Sequence, residues 1–228
     1  MTQRRFPVFT PVAEHSLLVE FGDRIDREIN NRVLALDAAL IAMPFAGLQE
    51  AIPAFASLLI RFNPLVTDHK AAQSHAQALL DRSLARNAVT EREVLVCYDI
   101  DLAPDLLAVA EATGLSPVAV IEAHLAGCYE VYMYGFAPGY AYLAGVPQAL
   151  QMPRKPTAKR AVPAGSVLIA GPQCLVSTLT MPTGWWIIGR SPTRVLTGAE
   201  DRPFLFDVGD AVRFRRIGRA DFDSGRAG

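Results

Sequence analysis

Two long stretches without a charged residue, 131–153 and 161–189, constrain this chain most. Each is long enough to cross a membrane if it were one helix. Glycine and proline interrupt both stretches, however, and prolines in particular are not tolerated inside an ordinary continuous helix. The pattern instead predicts short strands joined by tight turns, and it predicts no membrane-spanning segment.

Composition and charge limit the classes of protein that fit. Of 228 residues, 51% are hydrophobic and 20% are charged, so the chain has ample material for a buried core and is not a disordered protein. The formal net charge of -1 leaves no basic field to hold nucleic acid or an anionic membrane. Cys97, Cys128 and Cys174 are odd in number and lack CxxC spacing, which argues against a disulfide framework and indicates a cytoplasmic protein.

The first ninety residues predict alternating strands and helices. Apolar residues at three- and four-residue steps predict a helix over 25–43 that ends at Pro44, and a weaker helix follows Thr67 as its N-cap. Three short apolar runs closed by turn residues predict strands, at 16–21, 47–55 and 57–62. The resulting β-α-β-β-α-β order predicts a small ferredoxin-like α+β domain over residues 1–90.

A polar stretch at 81–93 marks the predicted boundary, and a second domain over 91–228 follows it. Two helices are expected there, one over 105–113 and one opened by the Ser116-Pro117 cap. Short strands account for much of the rest, at 94–98, 129–134, 166–170, 185–188 and 210–216. Many short strands with glycine and proline turns predict a mainly-β domain, either a closed barrel or a sandwich.

Charged residues are distributed unevenly along the second domain. Residues 94–130 hold six acids and no lysine or arginine, whereas residues 131–194 hold six basic residues and no acid. The basic set is Arg154, Lys155, Lys159, Arg160, Arg190 and Arg194. Cations within uncharged, glycine- and proline-rich sequence predict a pocket for a small anion such as a carboxylate or a phosphate. Solvated basic loops are the alternative explanation of the same pattern.

No phosphate-loop, dinucleotide-turn, nucleophile-elbow or zinc-helix motif occurs in the sequence, so neither a metal nor an organic cofactor is predicted for this chain. His124 nevertheless stands out, because it follows an apolar stripe on the helix opened by Ser116 and comes shortly before a turn at 135–140. An imidazole in that position is either a proton donor near neutral pH or a core histidine that is hydrogen-bonded for structural reasons.

Residues 135–143 read GFAPGYAYL and carry a recognisable pattern, GFxPGxxYL. Further matching segments lie on both sides of it, at 16–22, 103–106, 129–131, 153–154, 162–167, 169–171, 184–185 and 188–192. In these ordered motifs, over about 14–217, the chain resembles the family of KipI, the 5-oxoprolinase B-type chain and allophanate hydrolase subunit 1.

The resemblance implies a small α+β domain followed by a mainly-β, cyclophilin-like barrel domain. It also implies a role as the B-type component of an ATP-dependent 5-oxoprolinase, which cleaves 5-oxo-L-proline to L-glutamate. The implied partners are an A-type protein and a C-type sister protein with a related cyclophilin-like fold, and ATP is used at the level of the complex. Two alternatives stay open: a carboxyltransferase or allophanate hydrolase-related subunit that acts on urea-derived substrates, and a KipI-like histidine kinase inhibitor that is not an enzyme.

The chemistry of lactam opening selects the expected site residues. A lactam carbonyl is a poor electrophile, and phosphorylation of its oxygen creates a leaving group while negative charge develops that needs fixed donors. We therefore expect His124 to act as a proton shuttle or as a donor to the carbonyl, and Arg154, Arg190 and the backbone amides of the turns at 135–140 and 163–166 to stabilise the charge. The substrate-binding residues expected beside them are Phe136, Pro138, Gly139, Tyr140, Gly165, Ser166 and Gln173. The chain departs from the family pattern in the same region, at 174–178, Met181, Thr183 and Lys159.

Overall fold

The structure is a computed structural model that describes residues 5–82 and 89–225. The residues before and after the gap at 83–88 form two compact units. The predicted boundary stretch at 81–93 falls partly outside the described residues, and the domain limits 1–90 and 91–228 stay a prediction. Within the described ranges no single helix is both long and apolar enough to cross a membrane, although one pair of helices, bent by 93°, reaches that length and composition together.

The first unit is a four-stranded antiparallel sheet with two helices. Its strand order is β1-β2-β4-β3. Alternate residues of the two central strands, Leu17 and Val19 in β2 and Leu58 and Ile60 in β4, are fully buried in one core with apolar residues of both helices. The elements are β1 (Val8–Val12), β2 (Ser16–Glu20), α1 (Arg27–Ala42), β3 (Leu48–Pro53), β4 (Ser57–Phe62) and α2 (His69–Leu80).

The two helices of this unit begin at aspartates. The Asp26 carboxylate accepts hydrogen bonds from the first backbone amides of α1, and α1 runs close to the predicted span. The predicted N-cap of α2 is wrong by one residue. Asp68 rather than Thr67 caps it, because the Asp68 Oδ1 accepts from the Ala71 amide at 2.8 Å.

The strand order of this sheet differs from the β-α-β-β-α-β prediction. Three strands are predicted from the sequence in this part of the chain, and the sheet has one more, β1. It pairs antiparallel with β2 from Val8↔Glu20 to Val12↔Ser16. The strand that follows α2 in the described chain belongs to the other sheet. The sequence pattern does not predict β1, because a proline at position 11 argues against a strand. Pro11 is tolerated there because β1 is an edge strand. The unit is mixed α+β, and its ferredoxin-like assignment is not confirmed.

The second unit contains the strands expected from the charge-free stretches. Each predicted strand and helix of this unit has a counterpart in the structure. Its elements are β5 (Glu91–Val96), α3 (Leu106–Thr113), α4 (Pro117–Leu125), β6 (Tyr129–Tyr134), β7 (Ala141–Ala144), a 3₁₀ turn (Gln148–Leu150), β8 (Lys159–Val162), β9 (Ser166–Ala170), β10 (Gln173–Val176), β11 (Met181–Thr183), β12 (Trp186–Arg190), β13 (Ala211–Arg216) and α5 (Arg219–Asp223).

The seven-stranded sheet of this unit nearly closes on itself. Its order is β12-β9-β10-β7-β6-β13-β5, with β5 and β13 parallel and the other neighbours antiparallel. Backbone hydrogen bonds of 2.8 and 2.9 Å join Cys97, just after β5, to Arg190, at the end of β12, and so bring the two edges together. Gly189 permits this approach, because a Cβ there would lie 2.7 Å from Val96 Cγ1. The result is a nearly closed barrel, close to the cyclophilin-like fold.

Both faces of the barrel sheet are buried. On β9, Val167 and Ile169 belong to the large core that also contains residues of α3 and α4, whereas Leu168 and Ala170 belong to a second cluster. That second cluster also holds Tyr140, Val162, Leu175, Trp185 and Ile187, and we call it the outer cluster. Successive side chains of a strand point to opposite faces, so β9 separates the two cores.

Candidate functional site

His124 lies in the large core of the barrel rather than at a surface. It is fully buried on α4, with ring centroids of Tyr129 and Phe214 at 5.2 and 4.5 Å. Its Nδ1 is 2.8 Å from the Tyr98 hydroxyl, and its Nε2 is 3.6 Å from the Cys174 Sγ. Both ring nitrogens therefore have partners within the core.

Burial lowers the pKa of His124 from 6.5 to about 3, because the charged imidazolium has lost its water. Burial likewise raises the pKa values of Tyr98 and Cys174. The three groups form a neutral hydrogen-bonded chain near pH 7. The imidazole is therefore neutral near pH 7, both of its ring nitrogens are engaged within the core, and it lines neither of the two pockets described below. A catalytic role for His124 stays a prediction that this geometry does not support.

A first pocket, which we call the aromatic pocket, lies over the outer cluster and has a volume of about 150 Å³. Its walls include Phe136, Tyr140, Tyr142, Leu175 and Trp185, with Arg154 as its cation. The rings make a continuous series, with centroid distances of 5.5 Å from Phe136 to Tyr140, 6.3 Å from Tyr140 to Tyr142 and 5.9 Å from Tyr142 to Trp185. The pocket thus combines flat apolar surfaces with one positive charge.

Arg154 lies against this aromatic wall. Its guanidinium carbon is 5.6 Å from the Trp185 ring centroid, within the range of a cation–π contact. No carboxylate of the described residues lies within ion-pair distance of the guanidinium. Burial raises the pKa of the Tyr142 phenol, and the Arg154 charge opposes that rise. The guanidinium is therefore available to an anion that enters the pocket.

The neighbouring residue, Lys155, fixes the segment that carries Arg154. The Lys155 Nζ donates to Asp105 Oδ2 at 2.6 Å, and both side chains are largely buried, with 12% and 16% exposed. Asp105 Oδ2 also accepts from the Ile187 amide at 2.8 Å. On the main chain, the Lys155 amide donates to Gly184 O at 2.7 Å. We call this arrangement the Lys155 clamp; it ties the 154–155 segment both to α3 and to β12.

A second pocket, which we call the basic pocket, has a volume of about 230 Å³. Arg190 and Lys159 are its cations, and Ser166 lies in its wall together with Val162 and Ile187. Arg154 lines the first pocket and Arg190 the second. The structure therefore divides the predicted anion-binding residues between two pockets.

Four predicted substrate-binding residues line neither pocket. The Pro138 carbonyl accepts from Thr178 Oγ1 at 2.7 Å, and Gly139 has a φ of +70°, so both serve the turn between β6 and β7. Gly165 has a φ of +81°, and a Cβ there would collide with the Ser191 carbonyl oxygen. Gln173 is half-buried at the start of β10, where it pairs with Ala144 and Ala170.

The sequence did not single out Tyr142, Trp185 or the Lys155 clamp. Tyr142 carries a detectable signal, because it follows Tyr140 by two residues and a strand places such residues on one face. The ion pair of Lys155 with Asp105 has no detectable signal in the sequence, since 50 residues separate the two. Among the described residues, no three or more His, Cys, Asp or Glu side chains converge as they would around a metal ion.

The barrel, its outer cluster and the two pockets occur in a chain that belongs to a family of carboxyltransferase domains. The family model described as "Carboxyltransferase domain, subdomain C and D" matches residues 7–206.

Among individual proteins, the chain is 34% identical over 226 residues to the B subunit of the 5-oxoprolinase of Bacillus subtilis (strain 168), and the match covers 92% of this chain and 93% of that one. A crystal structure of the protein TTHA0988 superposes with a TM-score of 0.79 at 35% identity; the match covers 90% of this chain and 40% of that longer chain. The urea amidolyase of K. lactis shares the fold, with a TM-score of 0.73 at 16% identity, over 92% of this chain and 15% of that one.

Proposed function

We propose that this chain is the B-type component of an ATP-dependent 5-oxoprolinase, which cleaves 5-oxo-L-proline to L-glutamate together with its sister subunits. The observation that carries the proposal is the match to the Bacillus subtilis 5-oxoprolinase B subunit, because it extends over 92% of this chain and 93% of the relative. A match of that extent includes both structural units. The expected cytoplasmic location belongs to the same proposal.

The aromatic pocket has the chemistry that this substrate needs. 5-Oxoproline is a small flat lactam that carries one carboxylate. Its ring packs against Tyr140, Tyr142 and Trp185, and its carboxylate pairs with Arg154. The volume of about 150 Å³ suits a ligand of this size. An arginine that has no carboxylate partner in the described part of the chain, held against an aromatic wall, provides charge and orientation together.

Activation of the lactam explains why ATP is required by the complex. The lactam oxygen attacks the γ-phosphorus of ATP and ADP departs. A first water then adds to the activated carbon, and the carbon–nitrogen bond breaks to give γ-glutamyl phosphate. A second water hydrolyses this acyl phosphate, so that inorganic phosphate leaves and glutamate is formed. In this chain Arg154 orients the substrate, and the rings exclude water from its flat faces.

The partners proposed are an A-type protein and a C-type sister protein with a related cyclophilin-like fold. Phe136 supports the idea that a partner lies near the aromatic pocket. Its side chain is 74% exposed, and its φ of +70° holds a bulky residue in the left-handed region. An exposed aromatic side chain at the rim of a pocket is typical of an interface anchor.

The second candidate is a carboxyltransferase-type subunit that uses a urea-derived substrate. The family model favours it, because that family is described by its carboxyltransferase domain. Such substrates are also small, flat and amide-like, so they fit the same pocket. The two candidates differ in the substrate consumed and not in the architecture required.

Reconstitution tests the proposal. This chain is co-expressed with its A-type and C-type partners, the complex is purified, and glutamate release from 5-oxoproline is measured with and without ATP. We expect glutamate release that requires ATP, 5-oxoproline and all three proteins. Turnover of urea or allophanate instead would establish the carboxyltransferase alternative. A stable complex that turns over none of the three substrates would overturn both enzyme proposals and favour the kinase-inhibitor alternative.

A further inference from the structure

The basic pocket is separate from the proposed lactam site and has features of an anion site of its own. It lies beside the turn at 101–104, the strand β8 and the end of β12. Leu102, Pro104, Val162 and Ile187 form apolar walls around the cations. Apolar walls reduce the competition of water, which strengthens any ionic contact made within them.

Arg190 is held rigidly at this pocket. Its backbone makes both hydrogen bonds to Cys97 that close the barrel, at 2.8 and 2.9 Å. Its Nε donates to the Ala164 carbonyl at 3.3 Å, and its guanidinium carbon lies 5.9 Å from the Phe222 ring centroid. These contacts fix the guanidinium plane through Nε and one face. The two terminal nitrogens remain for a ligand.

The charges around the pocket leave Arg190 uncompensated. No carboxylate of residues 5–82 and 89–225 lies within ion-pair distance of Arg190 or of Lys159. Asp101 also lines the pocket, but its carboxylate is bound by Arg219 at 2.6 Å, and Arg219 in turn binds Asp223. The five charges sum to one net positive charge. A half-buried arginine that has no acidic side chain as its partner favours the binding of an anionic ligand.

The other polar groups of the wall are already engaged. The Ser166 hydroxyl donates to the Pro163 carbonyl at 2.7 Å, and the Ser166 amide donates to Ser177 Oγ at 2.9 Å. Recognition in this pocket therefore falls to the terminal nitrogens of Arg190 and to the Lys159 ammonium. An arginine edge and an ammonium together match the oxygen atoms of a small oxyanion.

We propose that the basic pocket binds a small oxyanion, a phosphoryl or carboxylate group, independently of the lactam site at Arg154. Its volume of about 230 Å³ accommodates such a group with a few attached atoms. The inference goes beyond the proposed function, because it concerns binding by this chain alone and does not require turnover.

Titration of the purified full-length chain tests the inference. Inorganic phosphate and acetate are titrated separately at constant ionic strength, with chloride as the control salt, and binding is followed by two-dimensional NMR. We expect saturable shifts of amides around Arg190. Stronger binding of phosphate would show that the pocket takes a phosphoryl group, and stronger binding of acetate would show that it takes a carboxylate group. Absence of saturable binding for both anions overturns the inference.

Paired variants show which residues hold the anion. Arg190→Gln is expected to weaken binding about tenfold or more, because it removes a charged bidentate donor, and Arg190→Lys is expected to restore only part of it. Lys159→Met is a second variant at an exposed residue, and Arg160→Met, at the next position of β8, is its matched control. Weaker binding in Lys159→Met with unchanged binding in Arg160→Met supports the inference. Equal affinity in the wild type, Arg190→Gln and Lys159→Met would contradict it.

Discussion

Acidification should destabilise the barrel through one residue, His124. The folded protein holds this imidazole neutral with a pKa of about 3, whereas the unfolded chain has the ordinary value of 6.5. Between these two values the unfolded state binds one more proton than the folded state, so stability falls as the pH falls. The loss begins below pH 6.5 and amounts to about 1.4 kcal/mol per pH unit. From pH 7 to pH 4 the contribution of this group is about 3 kcal/mol.

Urea unfolding at pH 7 and pH 4, compared between the wild type and His124→Asn, measures this contribution. Asparagine cannot titrate, and its amide retains a polar partner for the Tyr98 hydroxyl. The variant should be less stable than the wild type at pH 7 by about 1–3 kcal/mol, because a smaller side chain leaves a cavity. The difference in the free energy of unfolding between the wild type and His124→Asn should become smaller or change sign at pH 4.

The comparison with the variant is needed because Asp37 acts in the opposite direction. Burial raises the pKa of this carboxyl from 3.8 to about 6, so its contribution to stability is present at low pH and is lost as the pH rises through 6. The change in the free energy of unfolding between pH 7 and pH 4 is measured for both proteins. The contribution of Asp37 cancels when the two changes are subtracted, because both proteins contain this residue. An equal loss of stability on acidification in the wild type and in His124→Asn would refute the assignment of a neutral buried imidazole, and His15→Gln serves as the control for loss of a histidine elsewhere.

Three further predictions concern single residues. Lys155→Met should raise the KM for 5-oxoproline several-fold with little change in kcat, because the clamp positions Arg154, and Lys155→Arg should restore most of the affinity; equal KM values would contradict the clamp. Asp37→Asn should stabilise the first unit at pH 7 by about 1 kcal/mol after solvent screening is allowed for, and it should have no such effect at pH 4, as measured by urea unfolding. Gly165→Ala should cost about 2 kcal/mol or more in the same assay, because an alanine at positive φ would collide with the Ser191 carbonyl; an unchanged midpoint would contradict it.

Local patterns in the sequence were sufficient for much of the second unit. The strands 129–134 and 166–170 are predicted from short apolar segments between glycine and proline turns, and the cap at Ser116 depends on one side chain that bonds to a nearby amide. All three agree with the structure. The edge strand β1 was missed because proline at position 11 normally argues against a strand. Its acceptance depends on β1 being at the sheet edge, which is a property of the assembled sheet.

The candidate site was less accessible from the sequence than the fold. Arg154 and Arg190 each line a pocket, and their role in the reaction stays a prediction; no local pattern could place them in different pockets. Their separation depends on strand order and barrel closure, which bring Cys97 to Arg190 and Asp105 to Lys155. The burial of His124 could be anticipated from the apolar stripe of its helix, whereas its partners Tyr98 and Cys174 are contributed by distant segments.

Steady-state kinetics of the assembled complex with Arg154→Gln test the central claim most directly. Removal of the guanidinium deprives the substrate carboxylate of its charged partner, which should raise the KM for 5-oxoproline about tenfold or more. Arg213→Gln, at an exposed position of β13, is the matched control and should leave the KM unchanged. ATP-dependent glutamate release with a raised KM only in Arg154→Gln is the result we predict. An unchanged KM in Arg154→Gln would contradict the assignment of the aromatic pocket as the lactam site.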